Sequence, residues 1–301
     1  MGRGRIRISY FDVVGKALPP LPDHEVGRAI AKLSATYRAG RSDFDFSSEV
    51  GRAAYAWHHL PAHMSDLTRL LGDLPELLEG RRSLSVLALG AGPGSEVLAL
   101  LELISQRKAK GELELLERVE VTRVDHFSAW DQSFARLLSA AREAVGARRC
   151  GLGTEWELEA PAQSLRCDLS RAPLSEQVLA AAQGVNLILA MNLVSEVAPR
   201  GTEELPAGLA ANWEALLQAA PEADALVLDR AGAPGVHERV LEMAERAHAL
   251  GRGVLGPKTR EATCDSVLTK RVKALYRHVK LPTTKHEDRP VKNLKTVWLL
   301  C

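Results

Sequence analysis

The sequence has four cysteines among 301 residues, and their spacing argues against the roles that need several cysteines together. Cys150, Cys167, Cys264 and Cys301 form no C-x-x-C pair and no regular framework. A disulfide scaffold, a zinc site and an iron–sulfur cluster are therefore not expected. Free thiols in a reducing compartment fit this pattern best.

Long hydrophobic runs are also missing. The chain has no stretch of about eighteen consecutive apolar residues, and its first residues lack the apolar segment of a secretory signal. Met1 and Gly2 are followed by Ile6, where myristoylation needs serine or threonine. We expect a cytoplasmic protein without a membrane partner.

The net charge is only +1, but the charges are unevenly distributed. Residues 251–301 contain twelve lysines or arginines against four acidic residues, and Arg3, Arg5 and Arg7 add positive charge at the other end. A phosphate backbone would favour this arrangement, so the sequence predicts RNA as a partner for the basic C-terminal region. A solvated basic face is the alternative. The oligomeric state is not predicted.

A glycine-rich segment is the most informative local feature. Residues 86–96 read VLALGAGPGSE, an apolar strand followed by Gly90, Gly92 and Gly94 and then by an apolar-periodic helix. Alternating glycines let backbone amides approach a ligand closely at the start of a helix, which predicts a nucleotide-like ligand. A dinucleotide fold would place another glycine at Ser95 and would begin nearer the start of the chain.

The alternation of strands and helices predicts the fold class, α/β with a mostly parallel, Rossmann-like sheet and helices on both faces. We expect strands near 84–89, 119–124, 155–167, 185–191 and 225–228, and a closing hairpin from 267–279 and 296–300. Residues 1–80 look helical, with Asp23 and either Ser47 or Ser48 as helix caps and Pro61 as a break. The predicted organisation is a small helical domain or cap over 1–80 and an α/β domain over 81–301.

Ligands of open α/β sheets bind beyond the carboxyl ends of the strands, so residues that follow the strands are the candidate site residues. Asp125, followed by His126, is placed to accept hydrogen bonds from ribose hydroxyls, and Asp168 follows the third strand. Asn192, Ser195 and Glu196 follow the fourth strand. Asp229 and Arg230 follow the fifth, where they either line the same cleft or pair with each other.

The segment Gly90-Ala-Gly-Pro-Gly94 resembles the first motif of class I S-adenosylmethionine-dependent methyltransferases. The resemblance implies the cofactor S-adenosyl-L-methionine, with its methionine end held at Leu89, Gly90, Ala91, Gly92 and Gly94. It also implies that Asp168 contacts the adenine amine and that Asn192 lies near the cofactor and the methyl acceptor. Ala88 stands where these enzymes often carry an acid.

The predicted catalytic residues are Asn192 and Glu196. Methyl transfer is a direct displacement that needs alignment and exclusion of water, and Glu196 is the candidate base where the acceptor must lose a proton. His58, His59 and His63 have a spacing that a metal site could use, but Pro61 interrupts them and no acid completes a motif, so packing or surface roles are expected. Trp57 and Trp130 are expected in the core rather than stacked on a base.

Six separate segments carry a second, more specific resemblance: 55–61, 89–94, 192–196, 226–251, 270–280 and 287–288. Together they resemble the ribosomal small-subunit-associated methyltransferase-like proteins, which include mitochondrial small-subunit assembly factors and bacterial relatives. The resemblance implies ribosomal RNA or a small-subunit particle as the acceptor. Where that family often carries a cysteine-rich Cys-Pro-His segment, residues 256–264 contain Cys264 alone, so no iron–sulfur site is carried over.

Three functions remain open at this point. The first is a methyltransferase that acts on ribosomal RNA or a ribosomal particle. The second is a non-catalytic assembly factor that binds the cofactor, and the third is a methyltransferase for a small molecule or peptide, with the N-terminal helices as a lid.

Overall fold

The computed structural model describes residues 9–38, 44–146, 156–197, 202–263 and 293–301. Within these ranges the chain forms a mixed sheet with helices on both faces, which confirms the predicted fold class. The strands are β1 (Ser83–Leu89), β2 (Arg118–Asp125), β3 (Glu157–Glu159), β4 (Leu165–Arg166), β5 (Leu187–Met191), β6 (Asp224–Arg230), β7 (Leu255–Thr263) and β8 (Asn293–Leu300).

The helices alternate with the strands after a helical beginning. They are α1 (Tyr10–Ala17), α2 (Asp23–Arg38), α3 (Glu49–His58), α4 (Leu60–Asp73), α5 (Ser95–Ala109), α6 (Trp130–Gly146), α7 (Glu176–Ala182), α8 (Leu193–Val197), α9 (Ala207–Ala219) and α10 (Val236–Ala249), with a short 3-10 turn at Pro75–Leu77.

The sheet order is β3-β2-β1-β5-β6-β8-β7, and β4 pairs with the end of β2. Strands β1 to β6 pair in parallel, whereas β8 is antiparallel to both β6 and β7. The chain order reverses between β1 and β5, so a crevice forms beyond the carboxyl ends of these neighbours. This crevice is where a ligand is expected.

Two hydrophobic clusters cover the two faces of the sheet because alternate side chains of each strand point to opposite sides. Val86 and Ala88 of β1 belong to one cluster, and Leu87 and Leu89 belong to the other. The first cluster also contains residues of α1, α3, α4, α5 and α6, so the N-terminal helices share a core with the sheet. The division at residue 80 stays a prediction.

Two strand predictions need correction. The predicted third strand over 155–167 is two short strands, β3 and β4, with a break between them. The strand that pairs with 296–300 is β7, which begins at Leu255, and the predicted partner over 267–279 lies outside the described residues.

Among the helices of the described ranges, none combines the length and the apolar character that crossing a bilayer requires.

Candidate functional site

A cavity of about 270 Å³ opens at the carboxyl edge of the sheet. It lies between the glycine loop after β1, the ends of β2, β4, β5 and β6, and side chains contributed by the N-terminal part of the chain. Its lining residues are Tyr37, Phe46, Tyr55, Gly90, Gly92, Pro93, Asp125, His126, Phe127, Trp130, Cys167, Asp168, Leu169, Ser170, Leu193, Ser195, Glu196, Val197, Arg230 and Ala233.

The glycine loop follows β1 and turns sharply into α5. Gly90, Gly92 and Gly94 have φ values of +62°, +45° and +85°, a region that glycine enters without steric cost. A Cβ at Gly94 would lie 2.3 Å from the Phe134 ring, whereas a Cβ at Gly92 would meet no atom closer than 3.9 Å. Gly94 therefore serves packing, and Gly92 keeps the cavity open.

Asp125 ties the end of β2 to the glycine loop. Its Oδ2 accepts a hydrogen bond from the Gly92 N–H at 2.7 Å, and its Oδ1 accepts one from the Phe127 N–H at 2.7 Å. Burial raises the pKa of Asp125, and these two backbone donors act against that rise. Each oxygen keeps a lone pair for a further donor, such as a hydroxyl.

Arg123 supports the glycine loop from within the core, and no sequence motif indicates this role. Its guanidinium is buried, lies 3.6 Å from the centroid of the Phe134 ring and forms an ion pair with Asp131 at 3.2 Å. Its Nη1 reaches the Gly92 carbonyl at 3.4 Å. Arg123 thus positions the loop without lining the cavity.

Asp168 lies at the far end of the cavity, after β4. Its Oδ1 accepts hydrogen bonds from the Ser170 N–H at 3.0 Å and the Ser170 hydroxyl at 2.5 Å, and its Oδ2 pairs with Arg171 at 3.2 Å. The hydrogen bonds from Ser170 act against burial and lower the pKa of Asp168. The carboxylate therefore also accepts the hydrogen bonds of a local turn.

The segment after β5 forms the short helix α8 and brings Glu196 to the cavity. Asn192 has φ +56° and donates its N–H to the Leu228 carbonyl, so it shapes the turn. Asp229 accepts the Ser195 N–H at 3.1 Å, and Arg230 donates to the Ser195 hydroxyl at 3.1 and 3.3 Å. Arg230 lines the cavity, whereas Asp229 is fully buried behind it.

The Glu196 carboxylate is held by two tyrosines. Tyr55 donates to its Oε1 at 3.1 Å and Tyr37 donates to the same oxygen at 3.3 Å. Burial raises the pKa of Glu196 to about 7, against the lowering by Arg230 and by the hydrogen bond from Tyr55. Burial and the neighbouring Glu196 raise the pKa of both phenols, so they act as protonated donors.

An aromatic group from separate segments walls the same part of the cavity. The Phe46 ring centroid lies 5.5 Å from that of Tyr55 and 5.4 Å from that of Trp130, and the Tyr55 and Trp130 centroids are 5.5 Å apart. The expectation of a core position for Trp130 is half right, because it is 3% exposed yet lines the cavity. Trp57 is buried in the core as expected.

The histidines His58, His59 and His63 are buried beside this group. The rings of His59 and His63 stack at 5.4 Å, and burial lowers the pKa of His63 to about 3 and that of His59 well below its usual value. Both are therefore neutral packing residues. Across the described ranges, no group of three or more potential ligand side chains is placed to hold a metal ion.

The predicted site residues divide between the cavity surface and its support. Gly90, Gly92, Asp125, His126, Asp168 and Glu196 line the cavity. Four others do not line it: Leu89, Ala91, Gly94 and Asn192. Leu89 and Ala91 are buried, and Ala91 donates its N–H to the Val124 carbonyl. Gly94 packs on Phe134.

Sequence reasoning missed the cavity roles of Tyr37, Phe46, Tyr55 and Phe127. Phe127 could have been found, because it comes two residues after Asp125, beyond the carboxyl end of β2 where ligands are expected. Tyr37 and Phe46 carry no local signal. Most of the basic C-terminal region, along with Arg3, Arg5, Arg7, Cys150 and Cys264, lies outside the described residues.

No protein-family model matches the chain, and no curated protein sequence matches it either. Solved structures with a similar chain trace include a Listeria monocytogenes protein assigned to the class I S-adenosylmethionine-dependent methyltransferases, at 12% identity and TM-score 0.42, with 97% of this chain and 86% of that chain covered.

Two further similar structures are also methyltransferases. Magnesium protoporphyrin IX methyltransferase of Synechocystis PCC 6803, with bound S-adenosylmethionine, has 10% identity and TM-score 0.37 over 80% of this chain and 78% of that chain. Precorrin-6y C5,15-methyltransferase of Geobacter metallireducens has 9% identity and TM-score 0.37 over 77% and 85%. At such low identities and TM-scores, the similarity does not establish the activity or the substrate of this chain.

Proposed function

We propose that this chain is an S-adenosylmethionine-dependent methyltransferase whose reaction takes place in the cavity at the carboxyl edge of the sheet. The observation that carries the proposal is that one cavity brings together the glycine loop, Asp125 and Glu196. These are a backbone cradle, a carboxylate suited to ribose hydroxyls and a candidate base, each at the end of a different strand.

The residues present fit this cofactor. A Cβ at Gly92 would project into the space where a ligand approaches the loop, which explains why glycine is needed there. Asp125 has free lone pairs for two hydroxyls, and Phe127 and Leu169 offer apolar surfaces for a flat ring near Asp168. When bound, the cofactor supplies a methyl group on a positively charged sulfur.

The chain's own residues would position the acceptor and exclude water. Tyr37, Phe46 and Tyr55 come from the N-terminal part of the chain and line the cavity opposite the glycine loop. Glu196 Oε1 is fixed by the two phenols, which leaves Oε2 to accept a proton from the acceptor. A carboxyl with a pKa near neutrality suits that role.

For the acceptor, we propose first ribosomal RNA or a small-subunit particle. The support is the charge of residues 251–301, which hold twelve basic residues against four acidic ones, together with the family resemblance of separated segments. Binding of this kind weakens steeply as salt is added, because released counterions drive it.

A small-molecule or peptide acceptor is the second candidate, and a specific observation favours it. The aromatic side chains of Tyr37, Phe46 and Tyr55, all from the N-terminal part of the chain, line the cavity. A lid over a small acceptor would contribute side chains in this way. Such an acceptor would bind with little dependence on salt.

Incubation with methyl-labelled S-adenosylmethionine and ribosomal subunits, free RNA or cell metabolites tests both candidates. Label in the RNA or subunit fraction supports the first, and label in the metabolite fraction supports the second. Cofactor binding without label in any fraction would favour the non-catalytic assembly factor. Asp125→Ala should weaken cofactor binding, with Asp224→Ala at the opposite edge of the sheet as the control.

A further inference from the structure

The carboxylate of Glu196 and the phenols of Tyr37 and Tyr55 form what we call the tyrosine–carboxylate cluster. Its members come from α8, α2 and α3, so three separate elements fix the position of one carboxylate. Both phenols donate to Oε1. Among the described residues no donor bonds to Oε2, and Glu196 lines the cavity.

Aromatic rings line the same cavity as this carboxylate. Phe46 and Trp130 pack with Tyr55 at centroid distances between 5.4 and 5.5 Å, and a Cβ at Gly92 would lie 4.0 Å from Trp130 Nε1. The negative face of an aromatic ring attracts a cation within about 6 Å. A carboxylate among aromatic rings is therefore a favourable place for a small organic cation.

Charged groups of both signs lie around Glu196. Burial raises the pKa of Glu196 most; the Arg230 guanidinium lowers it, and the carboxylates of Asp229 and Asp125, at the ends of β6 and β2, raise it. Arg230 donates to Ser195, and its guanidinium carbon lies 5.0 Å from the centroid of the Tyr37 ring. Within the described residues, no carboxylate lies within 4.0 Å of the Arg230 guanidinium, so it does not neutralise Glu196 by direct pairing.

We propose that the tyrosine–carboxylate cluster is a cation-recognising subsite that distinguishes S-adenosylmethionine, which carries a sulfonium, from its neutral thioether product, S-adenosylhomocysteine. This inference rests on the proposed function, because it assigns a role to the same cavity. The two ligands share the adenosine, the amino group and the carboxylate. Their affinity ratio therefore isolates the methyl group and its positive charge.

The subsite predicts that ionisation of Glu196 changes the affinity for S-adenosylmethionine but not the affinity for S-adenosylhomocysteine. The sulfonium favours the ionised Glu196, whereas the thioether does not. Since the pKa of Glu196 is about 7, the affinity for S-adenosylmethionine relative to S-adenosylhomocysteine should rise about ten-fold between pH 6 and pH 8. The sulfonium lowers the pKa of the amino group of its own ligand, so the titration of each free ligand is measured separately and removed from the ratio.

Isothermal titration of the full chain with each ligand at pH 6, 7 and 8 tests the proposal. Wild-type protein should show the rise in the ratio. Glu196→Gln keeps the shape of the side chain and removes its charge, so it should abolish the rise and weaken S-adenosylmethionine about ten-fold at pH 8, with S-adenosylhomocysteine unchanged. Glu222→Gln removes an exposed carboxylate before β6 at the opposite edge and should behave as wild type.

The outcomes separate this inference from the proposed function. Equal pH dependence for both ligands in the wild type, or an equal loss of both in Glu196→Gln, overturns the subsite while the cofactor assignment stands. Binding of neither ligand to folded wild-type protein overturns the proposed function and the inference with it. The wild-type measurement decides the question even where the variant does not fold.

Discussion

Gly94 lies where the glycine loop enters α5, and the absence of a side chain there lets the Phe134 ring pack against the backbone. Gly94→Ala should destabilise the protein by about 3 kcal/mol or more, because strain at positive φ adds to a contact of 2.3 Å with that ring. Urea unfolding measures the change. Gly80 also has a positive φ, +72°, but no atom within 4 Å of its would-be Cβ.

Gly80→Ala is therefore the matched control for backbone strain alone, and it should cost about 1 kcal/mol. Equal losses in the two variants would contradict the role of Gly94 as a packing position for Phe134.

Glu96 offers a test of burial at a single carboxyl. It is 2% exposed, its Oε2 has no hydrogen-bond partner, and burial raises its pKa to about 8. The folded state thus holds a proton that the unfolded chain has released, so stability should fall as pH rises from about 4.5 to about 8. Glu96→Gln should remove this loss and raise the free energy of unfolding at pH 8 by about 4 kcal/mol.

Near pH 4.5, wild type and Glu96→Gln should differ little. Glu238 occupies the first turn of α10 but is exposed, so Glu238→Gln controls for the helix dipole and should give no such gain at pH 8. A gain at pH 4.5 as large as that at pH 8 would contradict a titration effect.

At this scale the sequence predicts the residues that follow the strands, because the carboxyl edge of a parallel sheet is a known ligand position. Asp125 and Glu196 were identified in this way, and both line the cavity. Tyr37 and Phe46 were not, since their place in the cavity depends on how α2 and the segment before α3 pack onto the sheet. Such packing of distant segments leaves no local pattern.

Helix α3 carries Tyr55 to the cavity, and its start depends on one of two adjacent serines. The sequence allows either Ser47 or Ser48 as the cap. In the structure the Ser48 hydroxyl accepts the Gly51 N–H at 3.1 Å, while the Ser47 hydroxyl bonds to Asp45 at 2.5 Å. Ser48→Ala should lower the free energy of unfolding by about 1 kcal/mol.

Ser47→Ala should lower the free energy of unfolding less than Ser48→Ala. Removing the Ser47 hydroxyl deprives no helix N–H of its acceptor. Chemical denaturation of the two variants checks the order. A larger loss from Ser47→Ala would contradict the assignment of the cap.

The elements themselves were predictable where burial dictates the pattern. Strands β1, β5 and β6 are mostly apolar because helices cover both of their faces, whereas β2 alternates valines with polar residues. Each of the four strands was expected within a few residues. Strand β7 escaped prediction because it is an edge strand with polar residues, a proline at 257 and an irregular register between Leu255 and Lys258. An edge strand needs neither two buried faces nor an unbroken ladder.

The whole molecule poses the question of whether the predicted division at residue 80 separates two folding units. Phe11, Leu60 and Leu67 of the N-terminal helices lie in the same hydrophobic cluster as Val86 and Phe134. Helices that bury their apolar faces against the sheet cannot unfold without exposing it to water. We therefore expect one cooperative unfolding transition for α1 to α10.

Hydrogen exchange with mass spectrometry along a urea titration can test this on the intact chain. Peptides from α1 and α4 should lose protection at the same urea concentration as peptides from α9 and α10, which pack in the second cluster on the opposite face. Loss of protection over α1 to α4 at lower urea, with the sheet still protected, would instead establish residues 1–80 as a separate cap. Opening of such a cap would remove Tyr37 and Tyr55 from Glu196 and so couple exposure of the cavity to the charge of its candidate base.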